Sequence, residues 1–383
     1  MAPGHNGDSS LFAVPASASW LFTDCGTRTG IARLRRMTVR PGGISRFSGP
    51  IWGDLMTQLV VTSYGDPRES VSLQREPGLL LGTDDILVEM EAAPVNPSDF
   101  LLVRGDYGVR PRLPSPVGGE GVGRVIDAGG AAGTRLVGQR VVILPTYEQG
   151  TWADKVATSY HNVVPVREDA DPLQLAMLPI NPATAYLLLH KYAKLAAGDW
   201  VGQNAANSAV GRCVIALARL QGLKTLNIVR REAAAQIVRD AGGDRVIVAG
   251  DDLPAQIADV LDGAELALAL DGTAGPIVAD IAGALRFRGV MVTYAFVTDV
   301  PPAVPAHDLI FNEVTLTGFW LINWLRNAPR AEIEQTYRTL SDLVATGVLT
   351  VPIEATYRLD DYHEAFKHAM TPGRTGKILF TFP

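Results

Sequence analysis

Cysteine and lysine are both scarce in this chain of 383 residues. It contains two cysteines, Cys25 and Cys213, and six lysines against 28 arginines. Two thiols cannot build a disulfide framework or a multi-cysteine metal cluster, so both of those protein classes are excluded. Such sparing use of cysteine is typical of a reducing compartment.

Long apolar runs and an excess of positive charge are also missing. No run reaches the roughly 18–20 apolar residues that a membrane span requires. The formal net charge is −6, so the chain has no basic field to attract nucleic acid. We therefore expect neither a membrane nor a nucleic acid as partner. Hydrophobic residues make up 47% and charged residues 19%, a globular composition. The length predicts two or three domains and favours two.

Residues 1–55 differ in composition from the rest of the chain. They carry more arginines than acidic residues and show no hydrophobic periodicity; the charged residues are Arg28, Arg33, Arg35, Arg36, Arg40, Arg46, Asp8, Asp24 and Asp54. Such a leader is typical of an organelle transit peptide. Alternatively, translation starts at Met56, an interpretation favoured by the arginine bias common in high-GC genomes. We expect a disordered or untranslated leader and a cytoplasmic protein, or a mitochondrial matrix protein if 1–55 is a transit peptide.

The remaining residues fall into two patterns. Short strand-like segments separated by glycine and proline dominate residues 56–180. From residue 181 strand-like and helix-like segments alternate, with 277–285 among the predicted helices. This alternation predicts a parallel, doubly wound sheet. We expect an α/β fold in which a β-rich domain, 56–180 with 348–383, accompanies a Rossmann domain over 181–347.

The turn after the first predicted parallel strand reads QNAANSAVG over 203–211. Small residues allow the N-terminus of the following helix to approach a pyrophosphate, which its free N–H groups and dipole stabilise. Alanine stands where the dinucleotide fingerprint has glycine, so the motif alone is weak. Its position at the start of a βαβ unit favours cofactor binding over a tight turn that binds nothing.

The second strand of this series ends with Arg230 and Arg231. NAD-binding domains place an acidic residue at this point for the ribose 2′-hydroxyl. Arginine instead offers a permanently charged, bidentate partner for a 2′-phosphate. The pair therefore favours NADPH over NADH, the alternative being two solvated surface charges.

Several segments resemble the medium-chain dehydrogenase/reductase superfamily and its GroES-like N-terminal domain. They read NPSD at 96–99, PVGGEGVG at 116–123 and GQRV at 138–141. Zinc-binding members have a cysteine before the Ser/Thr-Asp pair and a histidine in Gly-His-Glu. This chain has Asn96 and Pro97 at the first place and Gly119 at the second. The resemblance is therefore to the zinc-free branch, and we expect no metal site.

Within that branch the chain is similar to the mitochondrial-type trans-2-enoyl-CoA, or enoyl-thioester, reductases. The segments that carry this likeness are GDYG at 105–108, LP at 113–114, NPATAY at 181–186, QNAANS at 203–208, NIVR at 227–230, MVTY at 291–294 and GFWL at 318–321 with Trp324. They extend over nearly all of 56–383. One departure is Ala295-Phe296, where the family usually has small residues.

The resemblance implies a role for individual residues. Tyr107 matches the proton donor of the family. The residues that match cofactor contacts are Asn181, Asn207, Ser208, Ala209, Val210, Arg230, Arg231, Tyr294, Ala295, Phe296, Val297, Phe319, Trp320, Leu321 and Lys377. The implied reaction is the NADPH-dependent reduction of trans-2-enoyl thioesters, carried by coenzyme A or by acyl carrier protein, in fatty acid metabolism.

Two other functions fit the same sequence. One is a zinc-independent NADPH:quinone oxidoreductase, and the other is a non-catalytic NADPH-binding redox sensor. Relatives in the superfamily are often homodimers that pair sheet edges, here around 297–318, so the resemblance also implies a homodimer.

Overall fold

The computed structural model describes residues 55–78 and 80–383. Residues 1–54 of the leader, with Cys25, lie outside them, and its last residue, Leu55, begins the first strand. The strands are β1 (Leu55–Val61), β2 (Val71–Pro77), β3 (Asp85–Pro94), β4 (Ser115–Pro116), β5 (Gly121–Ala128), β6 (Arg140–Ile143), β7 (Lys155–Ser159), β8 (Val163–Pro165), β9 (Trp200–Gln203), β10 (Lys224–Val229), β11 (Arg245–Val248), β12 (Leu266–Asp271), β13 (Leu285–Thr293), β14 (Thr315–Gly318), β15 (Ile353–Tyr357) and β16 (Lys377–Thr381).

The helices lie between these strands. They are α1 (Pro67–Ser70), α2 (Pro97–Arg104), α3 (Ala131–Thr134), α4 (Pro172–Ala176), α5 (Asn181–Lys191), α6 (Ala209–Leu220), α7 (Glu232–Asp240), α8 (Leu253–Leu261), α9 (Ile277–Ala282), α10 (Ala306–Phe311), α11 (Leu321–Asn327), α12 (Arg330–Ala345) and α13 (Tyr362–Met370). Among the described residues, no helix combines the length and the apolar character that crossing a membrane demands.

Six strands form a wholly parallel sheet in the order β11-β10-β9-β12-β13-β14. Renumbered along the chain, this order is 3-2-1-4-5-6, that of the dinucleotide-binding fold. All six residues of β12 are buried because helices cover both faces of the sheet. The predicted doubly wound α/β architecture is confirmed.

A second sheet of seven strands has the order β15-β16-β3-β5-β6-β8, with β7 paired to β3. Strand β16, near the end of the chain, runs antiparallel to β3 and aligns Phe380 with Ala93. The chain thus returns to its first sheet after completing the parallel one. A smaller sheet joins β2, β1 and β4. The predicted domain boundaries at 180 and 348 fall between the strands of the two large sheets and stay predictions.

The first helix after the cofactor turn packs its apolar side on the parallel sheet. Cys213 on α6 is buried among aliphatic side chains, and burial raises the pKa of its thiol to about 12. It is therefore a core residue, as the apolar pattern of this helix indicates. The predicted helix over 277–285 was wrong at its end. Helix α9 ends at Ala282, and Leu285 begins β13. Apolar residues continue from the helix into the strand, so the sequence does not mark the boundary between them.

Candidate active site

The crevice of a doubly wound sheet lies where the strand order reverses, here between the carboxyl ends of β9 and β12. Two buried side chains brace this point. Asn204 donates from Nδ2 to Asp271 Oδ1 at 2.6 Å, and its Oδ1 accepts from the N–H of Gly272 at 2.7 Å. Thr293 Oγ1 donates to the other oxygen of Asp271 at 2.9 Å. These bonds fix the loops on which a cofactor would lie.

The turn between β9 and α6 has the backbone that the fingerprint requires despite its alanines. Ala205 adopts φ +47°, the left-handed conformation usually reserved for glycine. Ser208 caps α6 by accepting from the N–H of Gly211 at 3.1 Å. A Cβ on Gly211 would lie 2.5 Å from the carbonyl oxygen of Ala206, so only glycine allows the helix to sit this close. The first N–H groups of α6, around Ala209 and Val210, lack intrahelical partners and can meet phosphate.

The two arginines after β10 lie at the surface beside this turn. Arg230 is exposed, and Arg231 is exposed at the start of α7. The guanidinium of Arg231 points toward the segment 371–376, because a Cβ on Gly373 would lie 3.4 Å from its Nη1. Neither guanidinium forms an ion pair within the described part of the chain. Their charges are therefore available to an anionic ligand.

Tyr107 lies in the loop that follows α2. The helix ends at Gly105, whose φ of +81° turns the chain out of the helix. The phenol oxygen of Tyr107 accepts from Trp320 Nε1 at 3.1 Å, and the two rings meet edge to face with centroids 6.0 Å apart. Burial raises the pKa of the Tyr107 phenol, while the indole of Trp320 and the hydroxyl of Tyr147 oppose that rise. Tyr107 is consequently a neutral phenol near neutral pH.

A buried polar cluster lies at the start of α2, next to this loop. Asp99 accepts from the N–H of Asn96 at 2.8 Å and from the N–H of Gly119 at 3.0 Å. Asp99 is completely buried, and burial raises the pKa of its carboxyl to about 7. The cluster thus ties the first turn of α2 to the strand-connecting segment around Gly119.

Glu120 extends the cluster toward the parallel sheet. Its carboxylate accepts from Asn96 Nδ2 at 2.8 Å, from the N–H of Ile180 at 2.6 Å and from Asn181 Nδ2 at 3.5 Å. The ammonium group of Lys377 donates to Asn96 Oδ1. Burial raises the pKa of Glu120 and lowers that of Lys377, and each charge opposes the shift of the other. Lys377 and Asn181, both matched to cofactor contacts by resemblance, are therefore held by one network.

This cluster does not fit a zinc ion. The places of the thiolate and imidazole ligands hold Asn96, Pro97 and Gly119, and the amide of Asn96 is already bonded to Glu120 and Lys377. Within 55–78 and 80–383, no group of three or more His, Cys, Asp or Glu side chains is placed to hold a metal ion. We derive no catalytic step through a metal.

The other predicted residues fall into two groups. Phe319 and Leu321 are buried in the core beneath the parallel sheet, whereas Ala295, Phe296 and Val297 are exposed after β13. Tyr294 is anchored by its N–H, which donates to the carbonyl of Asp271 at 2.9 Å. The structure thus joins Tyr107 to Trp320 and links Asn181 to Lys377 through Glu120 and Asn96. The turn before α6 lies at the crevice of the parallel sheet, and the two arginines follow β10.

Several residues of the site were not predicted from the sequence. Asn96, Asp99 and Glu120 belong to the NPSD and PVGGEGVG segments. Their roles were not predicted, because most of their hydrogen bonds join distant parts of the chain. Tyr147 had no signal of any kind, although its ring lies 5.4 Å from that of Tyr107, centroid to centroid. In the sequence, the one indication of these residues was an acidic residue, Glu120, directly after the Gly118-Gly119 pair.

Two family models match the chain. Residues 82–168 match the alcohol dehydrogenase GroES-like domain, and residues 209–345 match the zinc-binding dehydrogenase domain. The matches confirm the predicted pairing of a GroES-like domain with a Rossmann domain. The second description names a metal for which the described residues offer no ligand set, in agreement with the zinc-free branch.

Curated relatives and solved structures cover most of the chain. The mitochondrial enoyl-[acyl-carrier-protein] reductases of Xenopus tropicalis and Homo sapiens are each 33% identical, covering 86% and 84% of this chain and 96% and 88% of their own. A proposed NADPH:quinone reductase of Bacillus thuringiensis superposes with TM-score 0.80 at 26% identity, over 86% of this chain and all of its own.

Two further solved structures have the same fold. The mitochondrial 2-enoyl thioester reductase heterodimer of Candida tropicalis superposes with TM-score 0.75, and the complex of Etr1p with NADP and crotonyl-CoA with TM-score 0.74. Each is 24% identical and covers 86% of this chain and all of its own. From the identity and coverage of the curated relatives, the chain belongs to the mitochondrial-type enoyl-thioester reductases of the zinc-free medium-chain dehydrogenase/reductase superfamily.

Proposed function

We propose that the chain reduces the double bond of trans-2-enoyl thioesters with NADPH and that Tyr107 supplies the proton. The hydrogen bond from Trp320 Nε1 to the phenol oxygen of Tyr107, 3.1 Å long, supports this assignment most directly. The indole occupies a lone pair of the oxygen and leaves the phenol proton free to be donated. An acid arranged in this way suits a reaction that ends by protonating carbon.

The reaction requires two additions to the substrate. When bound, NADPH supplies the hydride that adds to Cβ, and the thioester becomes an enolate. Tyr107 then transfers its proton to Cα, and a phenolate is left on the enzyme. Because burial raises the pKa of Tyr107, the proton stays on the phenol until the enolate takes it. Trp320 stabilises the resulting negative charge through its N–H.

The residues of the parallel sheet fit the cofactor. We assign the pyrophosphate to the turn at Asn207, Ser208, Ala209 and Val210, because α6 begins there with a capped and closely packed N-terminus. The 2′-phosphate is assigned to Arg230 and Arg231, whose guanidinium groups are exposed. The segments 294–297 and 319–321, with Asn181 and Lys377, are assigned to the nicotinamide half.

The carrier of the thioester substrate and the location of the protein are proposed from the relatives. Those proteins are named for acyl carrier protein and for mitochondria, and Etr1p was solved with crotonyl-CoA. We assign this chain enoyl thioesters of either carrier. The mitochondrial location thereby gains support from the relatives, and the cytoplasmic prediction receives none.

A homodimer through the edge strand β14 is part of the proposal. Strand β14 ends the parallel sheet, so it offers unpaired backbone groups to a second copy. Three large apolar side chains near this edge are exposed: Phe287 at 55%, Ile310 at 64% and Phe311 at 68%. The Candida tropicalis relative is a heterodimer, so the composition of the dimer is open to measurement.

Quinone reduction is the second candidate, because the Bacillus thuringiensis structure has the higher TM-score. A quinone accepts a proton on oxygen and has no need of a buried phenol held beside carbon. The test follows the consumption of NADPH by the purified full chain with crotonyl-CoA, a longer 2-enoyl-CoA, an enoyl-acyl carrier protein and 1,2-naphthoquinone, with NADH as the control reductant. We expect the enoyl thioesters to give the highest kcat/KM. Turnover with the quinone alone would establish the second function, and cofactor binding without turnover would establish the redox sensor.

A further inference from the structure

Tyr147 lies beside the proposed acid and has no role in the reaction as described so far. Its ring is inclined by 59° to the ring of Tyr107, with centroids 5.4 Å apart. Its hydroxyl is buried, yet it makes no hydrogen bond to any described residue. The hydroxyls of Ser98 and Tyr107 lie near enough to influence its pKa. Neither has the distance and angles of a hydrogen bond to Tyr147 Oη.

This arrangement is costly to the folded protein. A buried hydroxyl without a partner has lost its hydrogen bonds to water and gained none in return. The backbone of Tyr147 also adopts φ +59°, a left-handed conformation that is strained for a residue with a side chain. Two unfavourable features at one residue beside the acid indicate that the position serves the reaction rather than stability.

The hydroxyl also requires a particular neighbour. A Cβ on Gly119 would lie 2.9 Å from Tyr147 Oη and 3.2 Å from Asp99 Oδ1. Any larger residue at 119 would therefore collide with the phenol. Gly119 is the position at which the zinc-binding branch has a histidine. In this chain, the space beside that position is filled by the hydroxyl of Tyr147, whose proton makes no hydrogen bond within the described residues.

We propose that Tyr147 is a positioning residue that donates a hydrogen bond to the phenolate oxygen of Tyr107 formed during turnover. The inference rests on the proposed function. In the step, the O–H bond of Tyr107 breaks, a C–H bond forms at Cα, and the electron pair of the O–H bond stays on the Tyr107 oxygen. Tyr147 keeps its own proton and shares it with that oxygen. A proton from water then restores Tyr107.

Other groups near the pair set its electrostatics. Asp99 raises the pKa of both phenols by its negative charge, and the indole N–H of Trp320 stabilises the phenolate. The guanidinium of Arg326 lies 5.7 Å from the ring of Trp320. Tyr147 therefore offers Tyr107 a second donor, a hydroxyl group, beside the fixed indole N–H of Trp320.

The test is Tyr147→Phe, with Tyr362→Phe as the matched control. Tyr362 belongs to the same hydrophobic cluster and is not in ring contact with Tyr107. We expect kcat with crotonyl-CoA to fall about 10-fold in Tyr147→Phe, the value of one hydrogen bond to a charged group. KM for NADPH and crotonyl-CoA should stay unchanged, and Tm should be equal or higher because an unpaired hydroxyl is removed. The alkaline limb of kcat should move up by about one pH unit.

A titration of tyrosinate absorbance separates this inference from the proposed function. The contribution of Tyr107 is the part of the signal that Tyr107→Phe removes. In Tyr147→Phe that contribution should titrate at higher pH, whether or not the wild type reduces enoyl thioesters. Unchanged kcat and an unchanged Tyr107 titration would overturn the inference, as would a rate loss accompanied by a lower Tm. Absence of enoyl reduction in the wild type would instead overturn the proposed function.

Discussion

The indole N–H of Trp320 donates to the phenol oxygen of Tyr107 at 3.1 Å, across 213 positions of sequence. The bond joins the loop after α2 to the segment before α11. It fixes the orientation of the phenol and offers a donor to the phenolate that would follow proton transfer. Two residues that the sequence singled out separately thus form one unit in the structure.

Replacement of Trp320 by phenylalanine tests this unit. The Trp320→Phe variant keeps an aromatic ring over which Arg326 can lie but loses the N–H donor. We expect kcat for crotonyl-CoA to fall about 10- to 100-fold, because a bond to a developing charge is worth about 1.5–3 kcal/mol. The alkaline limb of the pH profile should shift upward, since the indole lowers the pKa of Tyr107.

Trp324→Phe is the matched control for packing. Trp324 donates from Nε1 to Glu332 at 2.9 Å, and its ring contacts that of Tyr337 rather than Tyr107. Equal losses of kcat in the two variants, with no change in the pH profile, would show that the indole of Trp320 acts by packing alone.

Arg230→Ala tests the assignment of the 2′-phosphate. Removal of the guanidinium should raise KM for NADPH by about 10- to 100-fold, the value of charge-assisted hydrogen bonds to phosphate. KM for NADH should change little because NADH has no 2′-phosphate. Arg245→Ala removes an exposed arginine from the neighbouring strand and serves as control. Similar changes of KM for both cofactors would refute the assignment.

Glu354→Gln tests how the segment 371–376 is held beside the site. Glu354 accepts from His368 Nε2 at 2.9 Å and from the N–H of Thr375 at 2.6 Å, and these bonds lower its pKa to about 2 from 4.5. A carboxyl whose pKa is depressed by folding adds stability above its unfolded value, and this stability is lost as pH falls through the folded value.

Because the side chain is partly exposed, solvent screening leaves about 1 kcal/mol of this stability at pH 7. Denaturant unfolding of wild type and Glu354→Gln should therefore differ by that amount at pH 7. The difference should shrink below pH 4.5 and vanish near pH 2. A difference independent of pH would show that the charge of Glu354 has no part in holding the segment.

The fold was largely predictable because its signals are local. The alternation of strand-like and helix-like segments from residue 181 predicts the parallel sheet, and the strand order confirms it. Strand β15 escaped prediction because its residues alternate between half-buried and exposed, without a continuous apolar run.

The site was predictable in residue identity more than in arrangement. Family motifs point to Tyr107 and the phosphate turn, but the bonds of Glu120 to Ile180 and Asn181 cross 60 positions or more. Such pairings depend on how the two large sheets pack, which local patterns do not encode. Tyr147 was missed for the same reason, because only its proximity to Tyr107 in the folded chain indicates a role.

Tyr107 is proposed to protonate the product of hydride addition to an enoyl thioester. The most direct measurement is kcat for crotonyl-CoA reduction by Tyr107→Phe, with cofactor affinity measured in parallel by fluorescence titration with NADPH. Loss of a general acid should lower kcat by about 10²–10⁴-fold while the affinity for NADPH is retained. Full activity in this variant would contradict the account and remove Tyr107 from the reaction.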